Sequence, residues 1–435
     1  MAAAAALALL VAPASAPASV GDFAMAVQPD GKIVVAGGAG YAGGLKGREF
    51  AAVVRYLPGG KLDPGFGGGD GVVLLRPQNP FTAIALQENG RILLTSAGGA
   101  GGVTRLLANG NLDRTFGSKG YLYAGASSSW YPTSIAVDKS GSIFTAGMSG
   151  YPNDPGEAWY GWLYRITADG RSGEVTGGMT DGESGNPKTQ INDFVLAANE
   201  TAIAAGTVAE RRPDAKSHLS LARLTEDPFG GGLVTEPDPN FGGGLVQSNF
   251  FPDSPFPEAA NALTWSKGRL LVAGTANDDL LLARYSQQGI LQPGFGHGGW
   301  ITTSSSSGTD VANDLAVSRD GSVYVAGGTE RGCEGCAGLL LARYGKRGRL
   351  QPGFGRRGTV TPDIDRKRYG KSASEVAYAV KVLAGGEVLV GGLVTSPGSS
   401  RYFLRRYLSD GAADGGFGRG GRLTTLPATA QRALP

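Results

Sequence analysis

Two cysteines and two histidines in 435 residues remove much metal and nucleophile chemistry at the outset. A structural zinc centre takes four Cys or His ligands. Cys333 and Cys336 form a lone Cys-x-x-Cys, and His218 and His297 lie in other parts of the chain. Two such distant histidines make poor triad members, and no Gly-x-Ser-x-Gly elbow is present. No Walker loop occurs, and the many Gly-Gly pairs follow strand-like runs without opening a helix, so they are not phosphate cradles. Charge of one sign is missing too: 40 Lys and Arg face 37 Asp and Glu. That balance argues against a nucleic-acid binder, which normally carries a strongly basic domain. No stretch approaches the ~20 apolar residues that span a bilayer, so no membrane span is expected.

Glycine, at 73 residues, is what the chain has in excess. It falls at turn positions, without a collagen-like period. The N-terminus, MAAAAALALLVAPASAPAS, is an apolar run followed by small residues, though it lacks a basic start. It is read as a signal peptide over 1–18. The mature protein is expected outside the cell, secreted or associated with the cell surface, and monomeric.

One pattern is written seven times. Its best copies read AVQPDGKIVVAGG, a spacer, then AAVVRYLPGGKLDPGFGGGDGVV. The arginine of the Arg-Tyr position recurs as Arg55, Arg105, Arg165, Arg223, Arg284, Arg343 and Arg406. Within a repeat the period is that of strands. Two short strands join at Gln28-Pro29-Asp30-Gly31, where Pro sets φ and Asp-Gly tolerates a tight turn. A third strand ends at Arg-Tyr, a Pro-Gly-Phe-Gly turn follows, and a fourth strand closes the unit. Four strands, seven units and no helical periodicity predict an all-β fold, a seven-bladed β-propeller of four-stranded antiparallel blades. The blades fall near 22–76, 79–125, 131–186, 189–248, 257–304, 309–362 and 373–426, with a tail over 427–435.

These residues resemble the delta-60 repeat family, a β-propeller-type repeat found mostly in exported bacterial proteins, over residues 22 to 425. The resemblance implies the fold and export, and no activity. Repeat three departs from the pattern, with Arg171-Ser172-Gly173-Glu174 in place of the Leu-Asp-x-x-Phe-Gly segment. Repeat four stretches it to Asp238-Pro239-Asn240-Phe241-Gly242.

A feature present in every blade reads as structural. The arginines are expected to clamp neighbouring blades through carbonyls and carboxylates, and the recurrent phenylalanines to pack between them. Function belongs where the copies differ, which is mainly on the face carrying the loops between second and third strands. Blade three is richest there. Trp130 and Tyr131 precede its first strand, and Tyr151, Trp159 and Tyr160 lie in the loop SGYPNDPGEAWYGW. Aromatic planes suit stacking on sugar rings or gripping a peptide. The same rings also serve to pin a long loop.

Three further asymmetries stand out. The residues at the mouth of the channel include Asn192, Asp193, Asn261, Asn313 and Asp314, oxygen donors of the kind that hold Ca²⁺, though such residues also satisfy local backbone groups. Residues 343–371 hold ten basic and two acidic side chains, a solvated basic edge or an attractor for an anionic wall polymer. In an oxidising compartment Cys333 and Cys336 are expected to form a local disulfide. The function expected is an exported, non-enzymatic module binding a glycan, cell-wall polymer or protein, with no cofactor and no catalytic residue. The alternative is a Ca-dependent hydrolase or lyase acting at the channel mouth.

Overall fold

The computed structural model describes residues 23–39, 50–75, 79–96, 102–123, 130–149, 160–179, 188–197, 201–209, 217–224, 238–305, 308–330, 336–396 and 399–425. They form seven four-stranded antiparallel sheets, each built from four strands consecutive in the chain. This is the seven-bladed propeller. The inner strands are Phe23–Val27, Phe81–Leu86, Trp130–Val137, Lys188–Leu196, Ala259–Ser266, Asp310–Val317 and Ser374–Val382. A single helical turn, Arg366–Tyr369, lies between blades six and seven.

The core is a series of interblade layers. Most second and third strands are largely buried apolar runs such as Ile92–Ser96 and Ala337–Tyr344, because both faces of a blade are covered. Every repeat but the third contributes a phenylalanine that fills the gap to the next blade. Phe66, Phe116, Phe241, Phe295, Phe354 and Phe417 are essentially inaccessible.

The clamp arginine sits above that ring. Arg55, Arg105, Arg223, Arg284 and Arg406 place their guanidinium groups 4.4 to 5.5 Å from the ring centres of Phe66, Phe116, Phe241, Phe295 and Phe417. The Nε of Arg105 donates to Asp113 at 2.9 Å within its own blade, and one terminal nitrogen donates to the Ala168 carbonyl of blade three at 2.6 Å. The planar fork thus ties two blades with one side chain. In blade three the turn after Arg165 is a tight hairpin running straight into the outer strand Gly173–Met179, so no phenylalanine is supplied there.

Among the described residues no strand is shared between the first and last blades. The seam from blade seven to blade one closes on side chains. Tyr402 donates to the Gly38 carbonyl at 2.6 Å, Arg406 donates to the Pro58 carbonyl at 2.7 Å, and Phe23 meets Tyr402 edge-on at 5.7 Å.

Every inner strand from blade two to blade seven carries a bulge, at Thr82, Thr133, Asn192, Asn261, Asn313 or Tyr378. The extra residue pushes the preceding carbonyl onto the second strand. A Cβ added at Gly274 or Gly327 would lie 1.8 Å from the carbonyl oxygen of Ala259 or Val311. In these blades the glycine of the Val-Ala-Gly segment makes room for that carbonyl, while blade two has Ser96 opposite the start of its bulge.

Candidate functional site

The bulges decide what the channel-mouth residues do. Thr82 donates its hydroxyl to the Pro132 carbonyl, and Thr133 to the Ile191 carbonyl, both at 2.7 Å. The side-chain amides of Asn192, Asn261 and Asn313 donate to the carbonyls of Ala260, Ala312 and Ala377 at 2.7, 2.8 and 2.8 Å. Each bulged residue latches onto the carbonyl just before the bulge of the following blade. The relay runs from blade two to blade seven.

The two aspartates bridge blades in the same zone. Asp193 accepts from Ser134 of blade three at 2.8 Å, from its neighbour Phe194, and from the Leu263 amide of blade five at 3.0 Å. Burial pushes its carboxyl up to about 6, with the nearby negative charge of Asp314 adding to the rise. Asp314 accepts from the amides of Leu315 and Val380 at 2.8 Å each and from Lys381 Nζ at 3.2 Å. Calcium needs six to eight converging oxygens. Here the lone pairs of both carboxylates point at N–H and O–H donors, and an ammonium group stands beside Asp314. Among the described residues no cluster of three or more His, Cys, Asp or Glu is placed to hold a metal. The residues expected to hold Ca²⁺ are interblade ties, and this donor set does not fit the ion.

Blade three presents a different surface. Its third strand, Tyr160–Ile166, alternates Tyr160, Trp162 and Tyr164 on one face, all half-buried. Ser149 pairs with Trp130 on one side and Tyr160 on the other, so these two side chains share that face. The Tyr160 and Trp162 rings lie 5.7 Å apart at an interplanar angle of 33°. Trp130 reaches along the face to Tyr164, with ring centres 6.0 Å apart. One glycine leaves room for the rings: a Cβ at Gly178 would stand 3.0 Å from Trp162 Cε3.

This face looks toward blade two, since Tyr164 packs with Leu93 and Val103. Tyr160 is the first residue of its strand, with Trp162 next along the same face. The Trp130 indole N–H, in a residue 6% exposed, has no hydrogen-bond partner.

Of the five aromatic residues singled out from the sequence, the structure brings Trp130 and Tyr160 together. Tyr131 pairs with Met148 and points to the opposite face. Tyr151 and Trp159 lie outside the described residues, as do Cys333 and the segment 1–18. Cys336 is buried. Trp162 and Tyr164 were missed, although the Tyr-x-Trp-x-Tyr alternation that reveals them is plain in the sequence. Phe250 and Phe251 enclose Trp300 at 5.0 and 5.2 Å, pinning the segment before blade five.

Two stretches of the chain, residues 28–66 and 385–417, match the family described as "Domain of unknown function (DUF5122) beta-propeller". The match is to a propeller repeat and agrees with the fold. No curated relative matches the sequence. Among solved structures, the polysaccharide lyase Uly1 aligns with a TM-score of 0.50 at 13% identity, covering 94% of this chain and 89% of that one. A PL25 ulvan lyase aligns at 0.43 and 14% identity, covering 79% and 81%. An α-L-arabinanase of Penicillium chrysogenum, complexed with arabinobiose, aligns at 0.39 and 12%, covering 86% and 88%. At these identities the likeness is one of fold. Among the described residues no helix is long and apolar enough to cross a membrane.

Proposed function

We propose that this is an exported, non-enzymatic propeller that binds a glycan on the aromatic face of blade three. The observation that carries the reading is the Tyr160–Trp162 ring pair, half-buried and tilted by 33°. Aromatic faces held this way offer an apolar plane to the C–H face of a pyranose ring. The Trp130 N–H, buried on the same face near Tyr164 and without a partner among the described residues, is a donor that gains if a ligand hydroxyl reaches it. A polar handle next to a rigid aromatic plane is the arrangement of small-molecule sites in general. The described residues of this face bear no charged side chain, so the sugar it suits is a neutral one.

Binding is preferred to Ca-dependent hydrolysis or elimination at the channel mouth because the polar groups there are engaged in holding blades together. The export reading, the delta-60 resemblance, the Cys333–Cys336 disulfide and the monomeric state belong to the same proposal. Cell-wall glycan is the natural partner of a protein so placed.

Tryptophan fluorescence titrated with neutral oligosaccharides tests the reading. Saturable quenching by at least one of them, lost in Trp162→Ala with the fold retained, is expected. A flat response to neutral sugars in the wild type sinks it.

A further inference from the structure

The opposite face carries a second site. In blades one, two, four and seven the clamp arginine is neutralised by an aspartate of its own turn: Asp63, Asp113, Asp238 or Asp414. In blade five that position is Gln292. The Arg284 Nε and the Gln292 side-chain oxygen are both buried and have no partner among the described residues. Arg284 faces no carboxylate among the described residues, and the nearby charge that acts on it is another cation, Arg269. A guanidinium without its anion is an unmet charge.

The next turn brings more positive charge onto it. Arg284 donates to the Lys346 carbonyl at 2.7 Å, and the Gly296 amide donates to the Arg347 carbonyl at 2.8 Å, so the Lys346–Arg349 turn of blade six is docked on blade five. The Arg356–Arg357 turn packs against the same turn, because a Cβ at Gly358 would meet Leu350 at 2.9 Å. Lys346, Arg347, Arg349, Arg356 and Arg357 are all exposed and make no ion pair among the described residues. The strip's carboxylate, Asp320, is taken by Arg343.

We propose that this strip, from Arg284 across Arg347 and Arg349 to Arg356 and Arg357, binds an anionic polysaccharide carrying sulfate or uronate groups. Clustered, unpaired cations on a rigid surface attract a polyanion and hold it with a strong dependence on salt. Arginine forks match oxyanions in two-point geometry. Single-stranded nucleic acid would require aromatic planes among the cations for its bases, and the exposed residues of the strip supply none. The site is independent of the aromatic face of blade three.

The test is binding of the full chain to dextran sulfate, with neutral dextran and oligodeoxythymidylate as comparisons. Dextran sulfate is expected to bind and neutral dextran not, with affinity falling roughly tenfold between 50 and 200 mM salt. The variant R347A/R349A/R356A/R357G, whose changes are all at exposed positions, is expected to lose at least about tenfold in affinity while unfolding at the wild-type midpoint. Gln292→Asp, which gives Arg284 its own carboxylate, is expected to weaken binding in the same direction. Unchanged binding in the fourfold variant, or absence of binding in the wild type, overturns the proposal. Tighter binding to oligodeoxythymidylate than to dextran sulfate overturns the assignment to a polysaccharide.

Discussion

Asn313 of blade six donates its side-chain amide to the Ala377 carbonyl of blade seven at 2.8 Å. The same bond links Asn261 to Ala312 and Asn192 to Ala260, and threonines make it in blades two and three. Asn261→Ala leaves a half-buried carbonyl unpaired and is expected to lower the unfolding free energy by about 1–2 kcal/mol. Asn261→Thr, which copies blades two and three, should recover part of it. Urea unfolding of the three proteins checks this, and an alanine variant indistinguishable from wild type contradicts the latch.

Asp193 makes folding sensitive to pH. Its carboxyl is raised from 3.8 to about 6 by burial, so the fold binds the proton more tightly than the unfolded chain. The stabilisation from the bound proton is complete below pH 3.8 and is lost as pH rises through 6. This group's contribution should therefore increase as pH falls from 7 toward 5. Asp193→Asn should flatten that part of the profile, seen in denaturation midpoints across pH 4.5 to 7.5. An identical slope in both proteins would remove Asp193 from the account.

Gly327 is pressed by the bulged carbonyl of Val311, with 1.8 Å available where a Cβ would stand. Gly327→Ala must either straighten the bulge or part the strands, and should cost about 1–3 kcal/mol. Gly353, whose Cβ would meet no atom within 4 Å, is the control, and Gly353→Ala should be close to neutral. Thermal unfolding of the two variants distinguishes them.

Much of the fold was legible because the repeat writes its own punctuation. The Asp-Gly turns, the Arg-Tyr pair and the Pro-Gly-Phe turn each mark a strand end, and seven arginines count seven blades. The axis was harder to read. Asn192 and Asp193 look the same in a sequence whether they converge on a cation or reach for the next blade. The choice is made by a bulge about 70 residues away, at Asn261, which positions the Ala260 carbonyl. The aromatic face lay between these extremes. Alternation at Tyr160, Trp162 and Tyr164 was visible, but placing Trp130 with them and Tyr131 opposite required the pairing of Ser149 with both flanking strands.

Glu375 is wholly buried between Arg405, at 2.6 Å, and Arg422, at 3.2 Å. Removing the carboxylate strands two guanidinium groups in the layer between blades six and seven. Glu375→Ala is expected to cost about 3–5 kcal/mol, the largest effect among the variants considered. Glu375→Gln keeps the volume and should still be clearly destabilised. A loss below about 1 kcal/mol for the alanine variant, the level of an exposed pair, would contradict this reading.

The central claim is that the Tyr160–Trp162 rings of blade three bind a neutral glycan, and an array of immobilised neutral and acidic glycans tests it without prior choice of ligand. Wild-type protein and a Tyr160→Ala/Trp162→Ala double variant, matched for unfolding midpoint, are applied at moderate salt, where the basic strip is screened. Binding to a group of neutral glycans, lost in the double variant, is the predicted result. The same neutral signals in both proteins, or none in either, would contradict it.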